Sequence, residues 1–544
     1  MKAIDLYSGV GGWSLGLRCA GIEVVESYEI WPTAVATYNA NLGANRAPRD
    51  VRELSLASLP TDVSLVVGSP PCTEFSLANR GGQGDVAEGL KDIAKFLEIV
   101  QYLKPRYWIM ENVPRTAGLI REGFATRGHA LYRYRSLAPE IHLFNLSEFG
   151  LPQARVRCFV GSFPFQRLLT LGASQPRRTL GAVIDALSSP GLVSDPIWPI
   201  ELRASQVTEM EPEPPLTGEQ FRMNREAKRF HPVYNDMPFP DALERPARTV
   251  TATCTRVSRE SIVVGEGDGP VRRLTVRERA SLQGFPLTYQ FYAKSHSQKI
   301  KMIGNAVPPL FSYLAGVALS EHEADPSKHF HIPTVLPDVT PPHAVASSFP
   351  AKRRFRAVVP GLRFKSGMRV QLENKFDDGA VNWNLEFVYG PSKAFTHLHL
   401  DRQLYSFLAA DPCVALALTM SHIRRDAVAA FVGETTPQLM QEVWRKGDAQ
   451  GGPYQLLDLI GQASLALTSA IAATAPDGRA AELVLTACRQ AHGEPASKEK
   501  LVKNALSLLA GMLLGSWFNS LPWAATAEAT MGSRSASFTL DKIA

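Results

Sequence analysis

The sequence predicts an α/β protein: a doubly wound sheet with a smaller inserted module and a separate α+β region after it. Three observations carry this. Short apolar runs alternate with helix-periodic segments over residues 1–165, the pattern loosens over 166–271 before helical character returns at 272–322, and a proline-rich stretch at 323–350 precedes a region of different texture at 351–544. At 544 residues the chain is long for one domain.

The elements follow in order. "KAIDLY" is strand-like and leads through a glycine-rich turn into "WSLGLRCAG", and "IEVVESYEI" is a second strand. "DVSLVVG" is a continuous apolar run of the kind seen in parallel strands covered on both faces. In "LKDIAKFLEIVQYLKP", Ile93, Phe96, Leu97, Val100 and Leu103 recur at helical spacing, and Pro105 closes the helix. "RYWIMEN" is a further buried strand. In such sheets ligands gather at the carboxyl ends of the strands, and Cys72 and Glu111 both fall just past strand ends. Helices are expected again in "LTVRERASLQGF" and "PPLFSYLAGVAL". Residues 323–350 read as a linker. Beyond it, "RVQLENKF" and "NWNLEFVY" alternate around "DDGA", where Asp378–Gly379 is a hairpin signal, and alanine- and leucine-rich helices follow.

Composition is that of a soluble globular protein with a formal charge of +6, compatible with a nucleic-acid partner without establishing one. Six scattered cysteines without paired spacing argue against a zinc site or a disulfide framework and for a reducing cytoplasm. No metal is expected. The start "MKAIDLYSGVGG" enters a strand directly, so no signal peptide is expected. The apolar run Ala505–Phe518 is shorter than the roughly 20 residues a bilayer demands and is read as a core helix, so no membrane partner is expected.

In "DLYSGVGGWSLGL", Gly9, Gly11 and Gly12 stand between a strand and a helix, where glycine lets backbone approach a ligand and the helix start offers free N–H groups. A tight turn is the equal alternative. Glu29, at the end of the second strand, is placed to accept ribose hydroxyls, and Asp50 to receive an adenine amino group. Together they suggest an adenosine-containing cofactor without choosing between NAD and S-adenosylmethionine. "GSPPCTEFS" sets Cys72 behind two prolines, and most such thiols are small buried side chains.

Five segments in order, "DLYSGVGGWSLGL", "GSPPCTEFS", "ENV", "QARVR" and "GNAVPP", with "RRLTVRERASLQGFP" before the last, closely resemble the DNA cytosine-5 methyltransferase family over about residues 1–320. The resemblance implies a Rossmann-like, S-adenosylmethionine-dependent core with a small target-recognition domain at 166–271, acting on duplex DNA, in a prokaryotic restriction–modification or genome-defence setting with a possible cognate endonuclease. It assigns Cys72 as the thiolate that attacks cytosine C6, Glu111 as the group at N3, and Arg157, with Arg155, as the cation at the base carbonyl, while Gln153 supports the loop. It places Tyr7, Val10, Gly11, Gly12, Glu29, Asp50, Pro71 and Asn305 around the cofactor, although Asn305 could instead cap a helix. The target base must be flipped out. Ser76 and Arg80 are candidate phosphate contacts, with a solvated loop as the equal alternative. Arg222, Arg225, Lys228, Arg229, Arg248, Arg256 and Arg259 are candidate DNA contacts in the insertion.

Two departures stand out. Thr73 replaces the glutamine common after the cysteine, and "EGLKD" replaces the usual "RG" before the helix ahead of "ENV". The region 351–544 lies outside the resemblance and is read as an accessory binding or dimerisation domain. "ENK" at Glu373–Lys375 has the spacing of some metal-dependent nucleases, but no well-placed acid precedes it and its alternation fits an ordinary strand. Two rivals are an RNA cytosine-5 methyltransferase of similar fold and a catalytically silent DNA-binding protein; the intact Cys72, Glu111 and Arg157 argue against the latter.

Overall fold

The structure, a computed structural model, describes residues 1–75, 85–229, 237–265, 270–320, 325–340, 342, 349–364, 367–377, 380–389, 396–447, 451–493 and 498–524. The chain forms two compact units, Met1–Leu216 with Met237–Val345, and Thr217–Asp236 with Ala346–Ala544.

The first unit opens with β1 (Lys2–Leu6), α1 (Gly12–Cys19), β2 (Glu23–Tyr28), α2 (Pro32–Leu42), β3 (Leu65–Gly68), α3 (Val86–Leu103), β4 (Tyr107–Asn112) and α4 (Thr116–Ala125). β5 (Glu140–Asn145), β6 (Gln153–Ala154), β7 (Val156–Ser162), α5 (Phe165–Ala173) and α6 (Leu180–Leu187) follow. The six-stranded sheet has the order β2–β1–β3–β4–β7–β5. β1 to β4 pair in parallel, which puts the ends of β3 and β4 side by side. β7 runs antiparallel between β4 and β5, so the sheet is mixed rather than wholly parallel. Burial on both faces explains the unbroken apolar run of β3. Val66 joins Ile4, Phe96, Trp108 and Met110 on one side, while Leu65 and Val67 join Ala3, Ile109, Phe159 and Phe311 on the other.

The expected recognition module is less separate than its sequence suggests. β8 (Leu192–Ser194) pairs with β9 (Glu201–Arg203), and α7 (Gly218–Arg229) departs to the second unit. The first unit resumes with β10 (Ala247–Arg248), paired to β6, then β11 (Val263–Val264) paired to β12 (Arg272–Arg273), α8 (Val276–Leu282), α9 (His296–Asn305) and α10 (Pro309–Leu319). Leu180, Val193, Val250 and Ile262 share one apolar cluster with Leu282, Phe285, Ile303 and Val10. α8 starts where the sequence signals it: Thr275 Oγ1 accepts from the Glu278 backbone N–H at 3.0 Å, and Glu278 accepts from the Thr275 N–H at 2.7 Å. Part of the expected linker belongs here too. Lys299 Nζ donates to Asp338 O at 3.0 Å, and Tyr292 donates to Val335 O.

The second unit holds a four-stranded antiparallel sheet of β13 (Arg356–Arg363), β14 (Arg369–Asp377), β15 (Ala380–Tyr389) and β16 (Thr396–Leu398), in that order. β14 and β15 pair from Asp377↔Ala380 onward; Asp378 and Gly379, the expected turn, lie outside the described residues. Helices α11 (Arg402–Ala409), α12 (Pro412–Met420), α13 (His422–Glu434), α14 (Pro437–Lys446), α15 (Gly452–Thr474), α16 (Arg479–His492), α17 (Lys498–Lys503) and α18 (Ala505–Phe518) follow. Val370, Leu372, Trp383, Leu385 and Phe387 pack with Ile460, Leu467, Leu508 and Met512, while the alternate residues Gln371, Glu373, Lys375 and Glu386 form a polar network on the other face. Glu373–Lys375 is thus an ordinary strand segment. α7 is tied in by Arg222, which binds Asp458 through two bonds of 2.7 and 2.6 Å, and by Glu219 on Arg353. Among the described residues, two helical stretches are long and apolar enough by composition to cross a membrane, 296–319 and Gly452–Thr474, with Arg402–Ala409 and Pro412–Met420 a third only if that sharply bent pair counts as one span. The first two are 78% and 50% buried inside the protein, and 296–319 is interrupted between α9 and α10.

Candidate active site

Cys72 sits in a turn three residues past Ser69, which follows β3. The Phe75 N–H donates to Cys72 O at 3.0 Å, and the Phe75 ring is fully buried. A β-carbon at Gly89 on α3 would fall 2.6 Å from that ring, so glycine makes room for the anchor that fixes the turn. The other end is held by Trp13 Nε1, which donates to Ser69 Oγ at 3.1 Å, and by Asn112 Nδ2, which donates to Pro70 O at 3.0 Å. Asn112 Oδ1 accepts from the Val113 N–H and from Thr116 Oγ1, both at 2.9 Å. The asparagine of "ENV" therefore clamps the cysteine turn to the end of β4, one residue from Glu111. No sequence reading singled out Asn112, although the adjacent strand ends signal its place.

Glu111 lies opposite Phe159 in the β4–β7 register, and two residues earlier on β7 Arg157 reaches it: Nε meets Glu111 Oε1 at 3.1 Å with both side chains largely buried. Arg155 is fully buried. Its Nη1 donates to Val250 O at 3.2 Å and its Nη2 to Gly304 O and Ala306 O at 3.1 and 3.3 Å, while Nε has no acceptor. Arg155 therefore acts as a strut between β6–β7, the stretch after β10, and the "GNAV" segment. Gln153 does the same, donating to Leu282 O and Gln283 Oε1 and accepting from the Val250 N–H. A β-carbon on Gly304 would lie 2.3 Å from the Ala252 nitrogen, so only glycine admits this close backbone crossing.

The electrostatics of the four groups are coupled. Burial, and then the Glu111 charge, push the Cys72 thiol up from its ordinary pKa, while Arg157 and Arg155 act against them. Burial, and then Arg157, lower Arg155 to about 9. The structure thus assembles Cys72, Glu111, Arg155 and Arg157 around one spot.

The glycine loop is built for close approach. Gly9 and Gly11 have φ of 53° and 87°, and Tyr7 has φ of 57°. A β-carbon on Gly12 would lie 2.0 Å from Val307 O, and one on Gly11 2.8 Å from Tyr38 and Leu42, whereas Gly9 faces open space. Val10 is buried, and its carbonyl accepts from Tyr289 OH. Glu29 accepts from the Gly9 N–H at 2.9 Å and the Trp31 N–H at 2.7 Å, and burial raises its pKa against those bonds. Asp50 caps a short turn by accepting from the Arg52 N–H at 2.9 Å. Where "EGLKD" replaces the expected "RG", Arg52 makes a two-point pair with Asp92 at 2.7 and 2.6 Å, and Tyr7 OH donates to the Asp92 carbonyl at 3.2 Å. Sequence reasoning missed Arg52 and Asp92. Pro71 is exposed beside Cys72, and Asn305 is exposed at the last turn of α9. Beneath the loop, Asp5 is fully buried, accepts from Ser14 Oγ at 2.6 Å, and is raised to about 7 by burial.

The expected DNA contacts fare differently. Ser76 and Arg80 lie outside the described residues. Arg248 makes a two-point pair with Asp241 at 2.6 and 3.0 Å, Arg256 binds Glu213 and the carbonyls of Pro214 and Pro215, and Arg259 is also engaged. Arg222, Arg225, Lys228 and Arg229 belong to the second unit, not to the recognition module. There Arg222 is spent on Asp458 and Lys228 is buried, while Arg225, over the Phe221 ring, and Arg229 are exposed. The charge run was read by adjacency in sequence, and packing assigns it elsewhere.

Comparison with known proteins covers the first three-fifths of the chain, including α7 of the second unit. A family model described as C-5 cytosine-specific DNA methylase matches residues 1–316. The Type II methyltransferase M.HgiDI of Herpetosiphon aurantiacus is 28% identical over 339 residues, 60% of this chain and 96% of its own. The Type II methyltransferase M.AplI of Arthrospira platensis is 29% identical over 323 residues, 57% of this chain and 83% of its own. Among solved structures, the S. pombe Dnmt2 methyltransferase is similar at 18% identity with a TM-score of 0.40, covering 59% of this chain and 98% of its own.

Proposed function

Because the chain belongs to the C-5 cytosine-specific DNA methylase family and is a DNA cytosine-5 methyltransferase, we propose that Cys72 is its nucleophile, Glu111 its group at N3, and Arg157 the cation beside both. The observation that supports this most directly is the Arg157–Glu111 pair at 3.1 Å, coupled to the Cys72 thiol at the ends of β3 and β4.

In the free protein, burial and the Glu111 carboxylate keep the thiol protonated. A cytosine cannot be attacked inside a stacked duplex and is flipped into the site. When Glu111 holds a proton against N3, the negative charge facing Cys72 is neutralised, leaving Arg157 and Arg155 to favour the thiolate. The substrate thereby switches on its own nucleophile. The thiolate then bonds to C6, and the electron density displaced onto C5 makes that carbon nucleophilic towards a methyl donor. Arg157 offers fixed, always-charged donors for the base carbonyl, and Arg155 holds the wall behind it. After transfer the C5 proton leaves, the C6–S bond breaks and the thiolate is restored, so the protein is unchanged.

S-adenosylmethionine would supply an electrophilic methyl group. The residues fit such a group: Gly9 faces open space in a positive-φ loop, and the Glu29 carboxylate is oriented by two backbone N–H groups. Tyr7, Val10, Gly11 and Gly12 would line its methionine end, Glu29 its ribose hydroxyls and Asp50 its adenine, with Pro71 and Asn305 at the edges. The relatives' name, Type II methyltransferase, supports a restriction–modification setting, and in that setting the reading takes duplex DNA as substrate, the cytoplasm as compartment and a cognate endonuclease as partner.

Duplex DNA carrying 5-fluorocytosine, with cofactor, tests the reading. Wild type is expected to form a covalent adduct and Cys72→Ser none while still binding DNA. A wild-type protein that binds this DNA without adduct would overturn it. Bisulfite sequencing of DNA from expressing cells would give the target.

A further inference from the structure

Cys254 has no part in the chemistry above, yet its sulfur lies in direct contact with two buried guanidiniums. It lies half-buried in the stretch after β10. Its sulfur accepts from Arg273 Nη2 at 2.8 Å and faces Arg279 Nη1 at 3.8 Å, and Arg273 Nη2 also donates to the Cys254 carbonyl at 3.2 Å. Arg273 and Arg279 are 6% and 1% exposed.

Their other bonds leave a deficit. Arg273 Nη1 binds Glu213 Oε2 at 3.2 Å, and Arg279 Nε donates to Leu274 O at 3.2 Å. Glu213 also holds Arg256 at 2.9 Å and faces His296 at 3.4 Å. Arg273 Nε and Arg279 Nη2 remain buried with no acceptor. Unmatched donors on buried guanidiniums are costly and rare, and the two guanidiniums that carry them meet one half-buried sulfur through their other nitrogens. What the pocket lacks is an oxygen acceptor.

We propose that Cys254 is a site of reversible oxidation, whose sulfenate oxygen supplies that acceptor. The Cys254 thiolate attacks one oxygen of a hydroperoxide. The S–O bond forms, the O–O bond breaks, and hydroxide leaves to be protonated. Sulfur is oxidised by two electrons and the peroxide reduced by two. The anionic oxygen accepts from the free N–H groups, a charge-assisted bond stronger than the sulfur contact it joins. Two equivalents of a thiol reduce the product back: the first displaces the oxygen as water and forms a mixed disulfide, and the second frees Cys254 and leaves with the first as a disulfide.

The other cysteines are poorer candidates. Burial pushes Cys19, Cys158 and Cys488 up to about 12, and burial with the Glu111 charge also raises Cys72. Cys413 sits beside the Asp411 carboxylate, whose Oδ1 accepts its backbone N–H. The direct guanidinium contacts at its sulfur make Cys254 the thiol expected to oxidise first. The position has a consequence for activity. Two residues upstream, Ala252 crosses Gly304 in the contact that forms the site wall, so a new bond pattern at Cys254 pulls on that wall.

The test treats full-length protein with limiting hydrogen peroxide in the presence of dimedone and maps all six cysteines by mass spectrometry. Dimedone is expected on Cys254 first. Arg279→Lys, checked for folding by its melting curve, should slow that labelling severalfold. In a parallel sample without dimedone, Cys254→Ser should keep its methyl transfer through a peroxide dose that inhibits wild type, and a thiol should restore the wild type. First labelling at Cys72, Cys413 or another cysteine, or unchanged labelling in Arg279→Lys, would overturn the proposal. So would equal inhibition of wild type and Cys254→Ser. Labelling needs neither DNA nor cofactor, so its failure is separable from failure of the methyltransferase reading.

Discussion

The two units each build a network of carboxylates and cations around a sheet, buried in the first and with exposed cations in the second, at different places on it. In the first, Cys72, Glu111, Arg155 and Arg157 gather where β3, β4 and β7 end or begin, and hydrogen bonds from Asn112 and Trp13 hold the loop that carries the sulfur. In the second, Arg356, Glu373, Lys375, Glu386 and His397 stand on one face of the antiparallel sheet, each fixed by the strand beneath it. On a sheet face, alternation dictates position and every charge finds a neighbour. At strand ends the groups are set by loops, and a thiol can be held in an unfavourable state until a substrate changes the charge beside it. The first arrangement suits chemistry, the second cohesion.

Four measurements would break or sharpen that contrast. Removing the sulfur should have the largest effect: Cys72→Ser is expected to lose more than about a thousandfold in methyl transfer with little change in melting temperature. Glu111→Gln should lower single-turnover rates by roughly 10²–10⁴-fold, the usual span for a proton-transfer group. It should also make Cys72 alkylate faster in the free protein, because the charge that helps raise its pKa is gone. A slower alkylation would contradict the proposed switch.

In the second unit, Glu373→Ala leaves the buried Gln371 Nε2 without its acceptor and removes a neighbour from the exposed Arg356 and Lys375, with about 1–3 kcal/mol expected in denaturant unfolding. The rate of methyl transfer should stay within about twofold. A collapse in rate with stability intact would show that the sheet-face network is more than cohesive.

The fourth measurement is the pH dependence of stability set by Asp5. Its folded pKa, about 7, exceeds its unfolded value, so its favourable contribution is complete below about 4 and is lost as pH rises to about 7. Melting temperature followed from pH 5 to 8 should fall less steeply in Asp5→Asn than in wild type; equal slopes would mean that the carboxyl is ionised when folded.

Much of the first unit was legible because a strand covered on both faces writes itself as an unbroken apolar run, as in "DVSLVVG", and because helix periodicity and caps are local signals. The reversal of β7 was not legible, since strand direction depends on partners far along the chain. The basic run 222–229 shows the same limit. Composition announces charge, but only packing reveals that Arg222 belongs with Asp458. At the site, Cys72, Glu111 and Arg157 were readable from their motifs. Asn112 and the Arg52–Asp92 pair were not, because their roles are hydrogen bonds across segments 40 or more apart in the chain. The "ENK" spacing was ambiguous in sequence, and strand pairing gives it an ordinary place.

The crossing of Ala252 over Gly304 bears on how such enzymes could be re-engineered. A segment that recognises a target invites transplantation as an interchangeable cassette. Here the backbone at Ala252 occupies the place a side chain on residue 304 would take, where a β-carbon would fall 2.3 Å from its nitrogen. A graft cut at 249–256 would have to reproduce that path, not merely its side chains, and the seam of a successful chimera would be expected to fall on either side of the crossing rather than through it.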